Sequence, residues 1–174
     1  HRRVSVTELR RVLGRELDVF ARLGVTLHTG MRLGDNLAWR ALDDFDAVYL
    51  ATGAWQQRAL GLPGEDCGRV GFGLDFLRQV RSGNAPRLGA RVAIVGGGNT
   101  AIDAARTARR QGAAIDVYYD VLLAIPEEVD AARAEGIAFH EAIVPAGFEP
   151  QSDGSVRVLL RPLAQAGVAF GPQL

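Results

Sequence analysis

Hydrophobic and polar positions follow several distinct rhythms along this chain. From Ser5 to Leu23 apolar residues recur at helical spacing, with Thr7 or Ser5 placed to cap the helix and Gly24 to stop it. Val25-Thr-Leu-His28 then predicts a short strand. A polar turn region follows, and Phe45-Asp-Ala-Val-Tyr-Leu-Ala51 predicts a second strand that ends at Thr52-Gly53. Leu62-Pro-Gly-Glu-Asp66 has the chemistry of a turn or linker, Leu74 to Val80 predicts a short helix, and Gly83-Asn-Ala-Pro86 breaks the chain.

The next stretch carries the most information. In Arg91-Val-Ala-Ile-Val-Gly-Gly-Gly-Asn-Thr-Ala-Ile-Asp-Ala-Ala-Arg106 an apolar run enters a glycine turn that opens directly into a helix. Val92 to Val95 reads as a buried parallel strand, and Ala101, Ala104, Ala105 and Ala108 give the helix a small-residue face, with Gly112 at its end. Gly96, Gly98 and Ala101 form a GxGxxA pattern. The first glycine allows the tight turn, the second lets the backbone approach a pyrophosphate, and the small third residue lets helix and strand pack closely. The unpaired amides and positive end of the helix then face the anion. A plain structural turn is the competing reading of the glycines alone.

Ile115-Asp-Val-Tyr-Tyr119 completes a βαβ unit, with Asp120 at its tip about 24 residues after Gly96. Val121 to Ile125 is apolar and reads as a strand extension, a packed loop or an exposed surface. Pro126 suits a first helical position, Glu127 to Glu135 predicts a helix, and Gly136 ends it. Ile137 to His140 predicts a strand, and Ile143 to Glu149 with Val156 to Arg161 a hairpin. Leu23-Gly-Val-Thr-Leu-His28 and Glu135-Gly-Ile-Ala-Phe-His140 share one grammar of helix end, glycine, strand and histidine. This reads either as parts of two similar domains in tandem or as chance similarity between helix-to-strand junctions.

Composition narrows the function classes. The 174 residues are 48% hydrophobic and 23% charged, ordinary for a globular protein, and the formal net charge of zero favours neither nucleic acid nor an anionic membrane. All 20 basic residues are arginine, scattered along the chain, which points to codon bias. Cys67 is the one cysteine, so no disulfide, CxxC pair or cysteine-bound cluster can form within the sequence, and a reducing, cytoplasmic compartment fits. His1, His28 and His140 lack metal-ligand spacing, and no apolar run approaches membrane-spanning length. The chain starts at His1, as an excerpt of a longer protein would.

Asp46-Ala-Val-Tyr-Leu-Ala-Thr-Gly53, Leu62-Pro-Gly-Glu-Asp66, Leu74-Asp-Phe-Leu77 and Val95 to Arg106 occur in an order and spacing that resemble the glutamate synthase small subunit family of flavin-dependent pyridine-nucleotide oxidoreductases. The resemblance runs from about Ser5 to about Leu163. It implies an α/β fold, a Rossmann-like parallel sheet with flanking helices, with a β-hairpin near the C-terminus. Residues 1–60 would be the back half of a FAD-binding domain, with Thr52 and Gly53 approaching FAD. Residues 61–174 would be an NAD(P)-binding domain lacking its last strand, with Gly96, Gly97, Gly98, Asn99, Thr100 and Ala101 around the pyrophosphate.

The family's first flavin glycine motif, its cysteine-rich iron-sulfur segment and its closing flavin motif have no counterpart here. In its NADP-specific members an arginine pair follows the second strand and meets the 2'-phosphate, whereas here Tyr119 is followed by Asp120. An acidic residue there accepts from a ribose 2'-OH and repels a 2'-phosphate, which favours NADH over NADPH; an ordinary solvated turn aspartate is the alternative. The resemblance implies hydride passage between NAD(P)H and FAD, with onward transfer to an iron-sulfur or catalytic partner subunit or fused domain, and it leaves self-association open. No catalytic acid or base is assigned. A non-catalytic assembly module of a larger redox complex is the rival reading, and a thioredoxin-reductase-like disulfide enzyme is disfavoured by the lone Cys67.

Overall fold

A computed structural model describes residues 6–165 of the chain, with side chains described for 11–164. The chain divides into two units, His1–Thr52 and Gly53–Leu174. The first holds helix α1 (Val6–Arg22) and a 3-10 turn at Trp39–Leu42. Gly24, at φ +80°, ends α1 as its sequence predicts. Ser5, one of its two candidate caps, lies outside the described residues, and Thr7 falls within the helix.

Two expected strands do not form in this unit. Residues 25–28 and 45–51 belong to no strand, and Tyr49 is 91% exposed. A strand is defined by its ladder, and these stretches have no ladder partner among the described residues. Of the two matching junctions at Gly24 and Gly136, only the second therefore leads into a strand.

In the second unit the order is α2 (Gly73–Arg81), β1 (Arg91–Val95), α3 (Asn99–Arg110), β2 (Ala114–Tyr119), α4 (Pro126–Ala134), β3 (Ala138–Glu141), β4 (Ile143–Pro150) and β5 (Val156–Pro162). β1, β2 and β3 form a parallel sheet in that spatial order, with Ile94 opposite Val117 and Tyr118 opposite His140. Parallel strands need crossover helices, and α3 and α4 supply them. The architecture is thus the expected α/β fold. β1 reads from sequence as fully buried, yet it alternates between exposed and half-buried positions, because it is the edge of this sheet.

Alternation along β2 sorts its side chains. Ile115, Val117 and Tyr119 are buried with Ile102, Ala105 and Ala108 of α3 and Val129 and Ala132 of α4. Alanines on α3 let it lie close to the sheet. Arg106 of α3 pairs with Glu128 and Glu135, and Arg110 with Glu135 at 2.7 Å, which ties α3 to the α4 end. Burial alone would raise the Glu135 carboxyl, but the hydrogen bonds and charges of Arg110 and Arg106 outweigh it and hold it below its ordinary value. Asp116 and Tyr118 take the other face of β2. There Asp116 Oδ1 meets His140 Nε2 at 2.8 Å, Arg91 approaches Oδ2 at 3.2 Å, and Tyr118 stacks on His140.

β4 and β5 form the expected antiparallel hairpin, irregular between Pro145 and Gly147. The Leu62–Asp66 turn docks on it: Phe148 N–H donates to Pro63 O at 2.8 Å, and a side chain on Gly64 would strike the Phe148 carbonyl. Glu65 holds this turn in shape by accepting from the amides of Leu60, Gly61 and Leu62. Those bonds, the Leu60 amide's first, lower its carboxyl.

Candidate functional site

At the C-terminal end of the parallel strands the chain between β1 and α3 is Gly96-Gly97-Gly98, and each glycine answers a different demand. Gly96 sits at φ +126°, where an L side chain is strained, and donates to Tyr118 O at 2.9 Å, which pins the turn to the end of β2. Ala101 lies beside it: a methyl on Gly96 would come 3.6 Å from the Ala101 methyl. The strand-turn-helix geometry read from Gly96 and Ala101 is present.

Gly98 precedes α3 in extended conformation, and a methyl there would meet nothing within 4 Å. This is open space in front of a helix start. The amides of Asn99 and Thr100 make no backbone hydrogen bond among the described residues. Free amides and the positive helix end together suit a phosphate oxygen. The residues therefore fit the pyrophosphate of a dinucleotide: an open backbone approach at Gly98 and donors at Asn99 and Thr100.

Gly97 is buried and faces the other way. A methyl there would enter the Val121 carbonyl and stand 3.1 Å from Leu122 Cα. The segment after β2 folds back over it. Leu123 and Ala124 both donate to Gly97 O, at 2.8 and 2.9 Å, and Ile125 N–H donates to Asn99 Oδ1 at 2.9 Å. Of the readings open from sequence, Val121–Ile125 is thus a packed loop in its backbone, while Val121, Leu123 and Ile125 leave their side chains 54%, 75% and 51% exposed.

Asp120 stands half-buried at the tip of β2, and its Oδ1 accepts from the Val121 amide at 2.7 Å. Gly96, Gly97, Gly98, Asn99, Thr100, Ala101 and Asp120 are therefore gathered around one strand-end turn. Thr52 closes the first unit and Gly53 opens the second, with Gly53 at φ +78° against the Trp55 indole. Both lie on an exposed stretch outside any helix or strand. Sequence reasoning missed the fold-back over Gly97 and the use of Asn99 Oδ1 inside the protein. The apolar run after Asp120 was the available signal. Among the described residues, no helix is long and apolar enough to cross a membrane.

Known proteins resemble this chain over most of its length. The beta subunit of the NADPH-Fe(3+) oxidoreductase of Geobacter sulfurreducens is 39% identical over 145 residues, covering 78% of this chain and 22% of that protein. The beta subunit of the NADP(+)-dependent formate dehydrogenase of Moorella thermoacetica is also 39% identical over 145 residues, with 78% of this chain and 20% of that protein covered. The small chain of the NADPH glutamate synthase of Escherichia coli is 32% identical over 162 residues, covering 83% of this chain and 34% of that protein. The chain thus spans between a fifth and about a third of the length of these relatives. The family model for pyridine nucleotide-disulphide oxidoreductases matches residues 17–161. With the glycine turn, the crossover helix and the strand-tip acid already in place, that match means the chain belongs to the pyridine nucleotide-disulphide oxidoreductase family.

Proposed function

We propose that this chain is the nicotinamide-binding part of a flavin-dependent oxidoreductase of the glutamate synthase small-subunit type. The carrying observation is the glycine turn, where Gly98 leaves open space before the unpartnered first amides of α3. In this reading residues 61–174 form the NAD(P)-binding domain and residues 1–60 contribute part of a FAD-binding domain, with Thr52 and Gly53 on the flavin side. Gly98, Asn99 and Thr100 hold the pyrophosphate through backbone amides, and Gly96 and Ala101 keep turn and helix close enough to do so.

A nicotinamide held at this turn would supply a hydride, and a flavin bound elsewhere in the protein would be its acceptor. The chain's own residues bind and orient; none is assigned as an acid or base, because hydride passage needs no side-chain nucleophile. Electrons leave through a partner subunit or fused domain.

Asp120 selects the nicotinamide in this reading. Its carboxylate stands at the end of β2, where it accepts from a ribose 2'-OH and repels a 2'-phosphate, so NADH binds more tightly than NADPH. The three relatives are NADPH or NADP(+) enzymes by name, so on this reading the chain departs from them in cofactor choice. Calorimetric titration with NADH and NADPH, beside an Asp120→Arg variant, tests both statements. Micromolar NADH binding, with preference moving toward NADPH in the variant, is expected. Binding of neither nucleotide overturns the proposal in favour of a non-catalytic assembly module.

A further inference from the structure

Asn99 stands at the first position of α3, yet its side chain is engaged by another part of the chain: Oδ1 accepts the Ile125 amide at 2.9 Å. The same returning segment is fastened one step away, where the amides of Leu123 and Ala124 share Gly97 O at 2.8 and 2.9 Å. Asp120 begins this segment and is itself closed onto it by the bond from Val121 N–H to its Oδ1 at 2.7 Å. Three backbone donors from residues 123–125 thus converge on the glycine turn and its first helical residue, and the acid at the strand tip is held between β2 and that attachment. Apolar packing anchors one side of the segment, with Ala124 in the buried core and Leu122 packed against it, while Val121, Leu123 and Ile125 expose their side chains. The hydrogen bonds from residues 123–125, one of them to the Asn99 side chain, add the link that ties the segment to the glycine turn itself.

We infer that Asn99 is a positioning residue for nicotinamide selection: with Gly97 O it staples the Asp120–Ile125 segment to the glycine turn and so fixes the carboxylate that tells NADH from NADPH. The inference rests on the proposed role of Asp120. It assigns the two ends of one amide to two tasks. Oδ1 is committed to Ile125, and Nδ2 remains a donor that a bound anion could use. A residue that merely touched the pyrophosphate would act on both nucleotides alike, because they share that group. A residue that positions Asp120 acts on the difference between them.

Three variants separate these roles. Asn99→Ala removes both the acceptor and the donor. Asn99→Asp keeps an acceptor for Ile125 but places negative charge at the helix mouth. Ile125→Pro deletes the donor from the other side without touching α3, and Ile125 already has a φ of −58°, which proline adopts. The ratio of NADH to NADPH affinity is measured calorimetrically on the full chain, together with amide hydrogen exchange of residues 121–125 without nucleotide. In Asn99→Ala and Ile125→Pro the ratio is expected to shrink by about three- to tenfold, the range of one lost hydrogen bond, with faster exchange in the segment. In Asn99→Asp both affinities fall while ratio and exchange stay near wild type. Equal loss for both nucleotides in Asn99→Ala, or an unchanged ratio in Ile125→Pro, overturns the staple and leaves the dinucleotide reading standing. A wild-type chain that binds neither nucleotide overturns both.

Discussion

Replacing either of two adjacent glycines by alanine separates architecture from ligand approach. At Gly97 a methyl would sit 2.9 Å from the Val121 carbonyl carbon and 3.1 Å from Leu122 Cα, closer still to the Val121 oxygen, and these are backbone atoms that cannot rotate away. If the returning segment stays, overpacking costs about 1–3 kcal/mol. If it lifts, the two bonds from Leu123 and Ala124 to Gly97 O are lost, each contributing about 0.5–1.5 kcal/mol. Either route gives a loss of about 1–3 kcal/mol, a sizeable part of the roughly 5–15 kcal/mol that holds a domain folded. Gly98→Ala meets nothing within 4 Å and keeps an ordinary φ of −89°, so its stability stays within about 0.5 kcal/mol of wild type. Its methyl instead fills the space through which the pyrophosphate would approach, and NADH affinity falls by at least about tenfold. Urea unfolding followed by circular dichroism reads the first effect, and calorimetric titration the second. Gly97→Ala as stable as wild type, or Gly98→Ala as damaging to stability as Gly97→Ala, refutes the division of labour.

Three further outcomes follow from the same geometry. Asp120→Arg moves nucleotide preference from NADH toward NADPH, and an unchanged ratio in the titration described above removes Asp120 as selector. Glu65→Ala takes away the acceptor for three backbone amides in the turn docked against Phe148, and because the site is partly exposed the loss is about 1 kcal/mol in a thermal melt; no change in Tm argues that the turn holds without it. Acid weakens the fold: Asp116, lowered first by its bond to His140, and Glu135, lowered by Arg110 and Arg106 against its burial, have native values below the ordinary 3.8 and 4.5. The unfolded chain binds protons first, so their contribution is complete above about pH 5 and drains as pH falls through those ordinary values and then through the lower native ones. Stability that is flat from pH 5 to pH 3 contradicts this.

The βαβ unit was legible because each of its determinants is local. Apolar spacing, the run of glycines and the alanine face name β1, α3 and β2 directly, and Gly112 and Gly136 mark helix ends at φ +100° and +79°. The hairpin followed from two strand-like runs, Ile143 to Glu149 and Val156 to Arg161, set on either side of the turn residues Ser152-Asp-Gly-Ser155. The same local rhythm misled at residues 25–28 and 45–51, where apolar strand-like stretches stay outside any sheet. Their local pattern carries a preference for extension, but a strand also needs a neighbour, and periodicity contains no information about one.

Local pattern alone therefore names the turn and the residue types around it: glycines at Gly96 to Gly98, a helix opening at Asn99, and an acid at Asp120. How those residues divide their work depends on the folded chain. Gly97 answers to the Val121 carbonyl, Asn99 Oδ1 to the Ile125 amide, and Gly98 alone of the three keeps open space in front of it. The physical reason is that these contacts join positions about 25 residues apart, and a hydrogen bond between such positions exists only once β2 has paired beside β1 and brought the returning segment back over the turn.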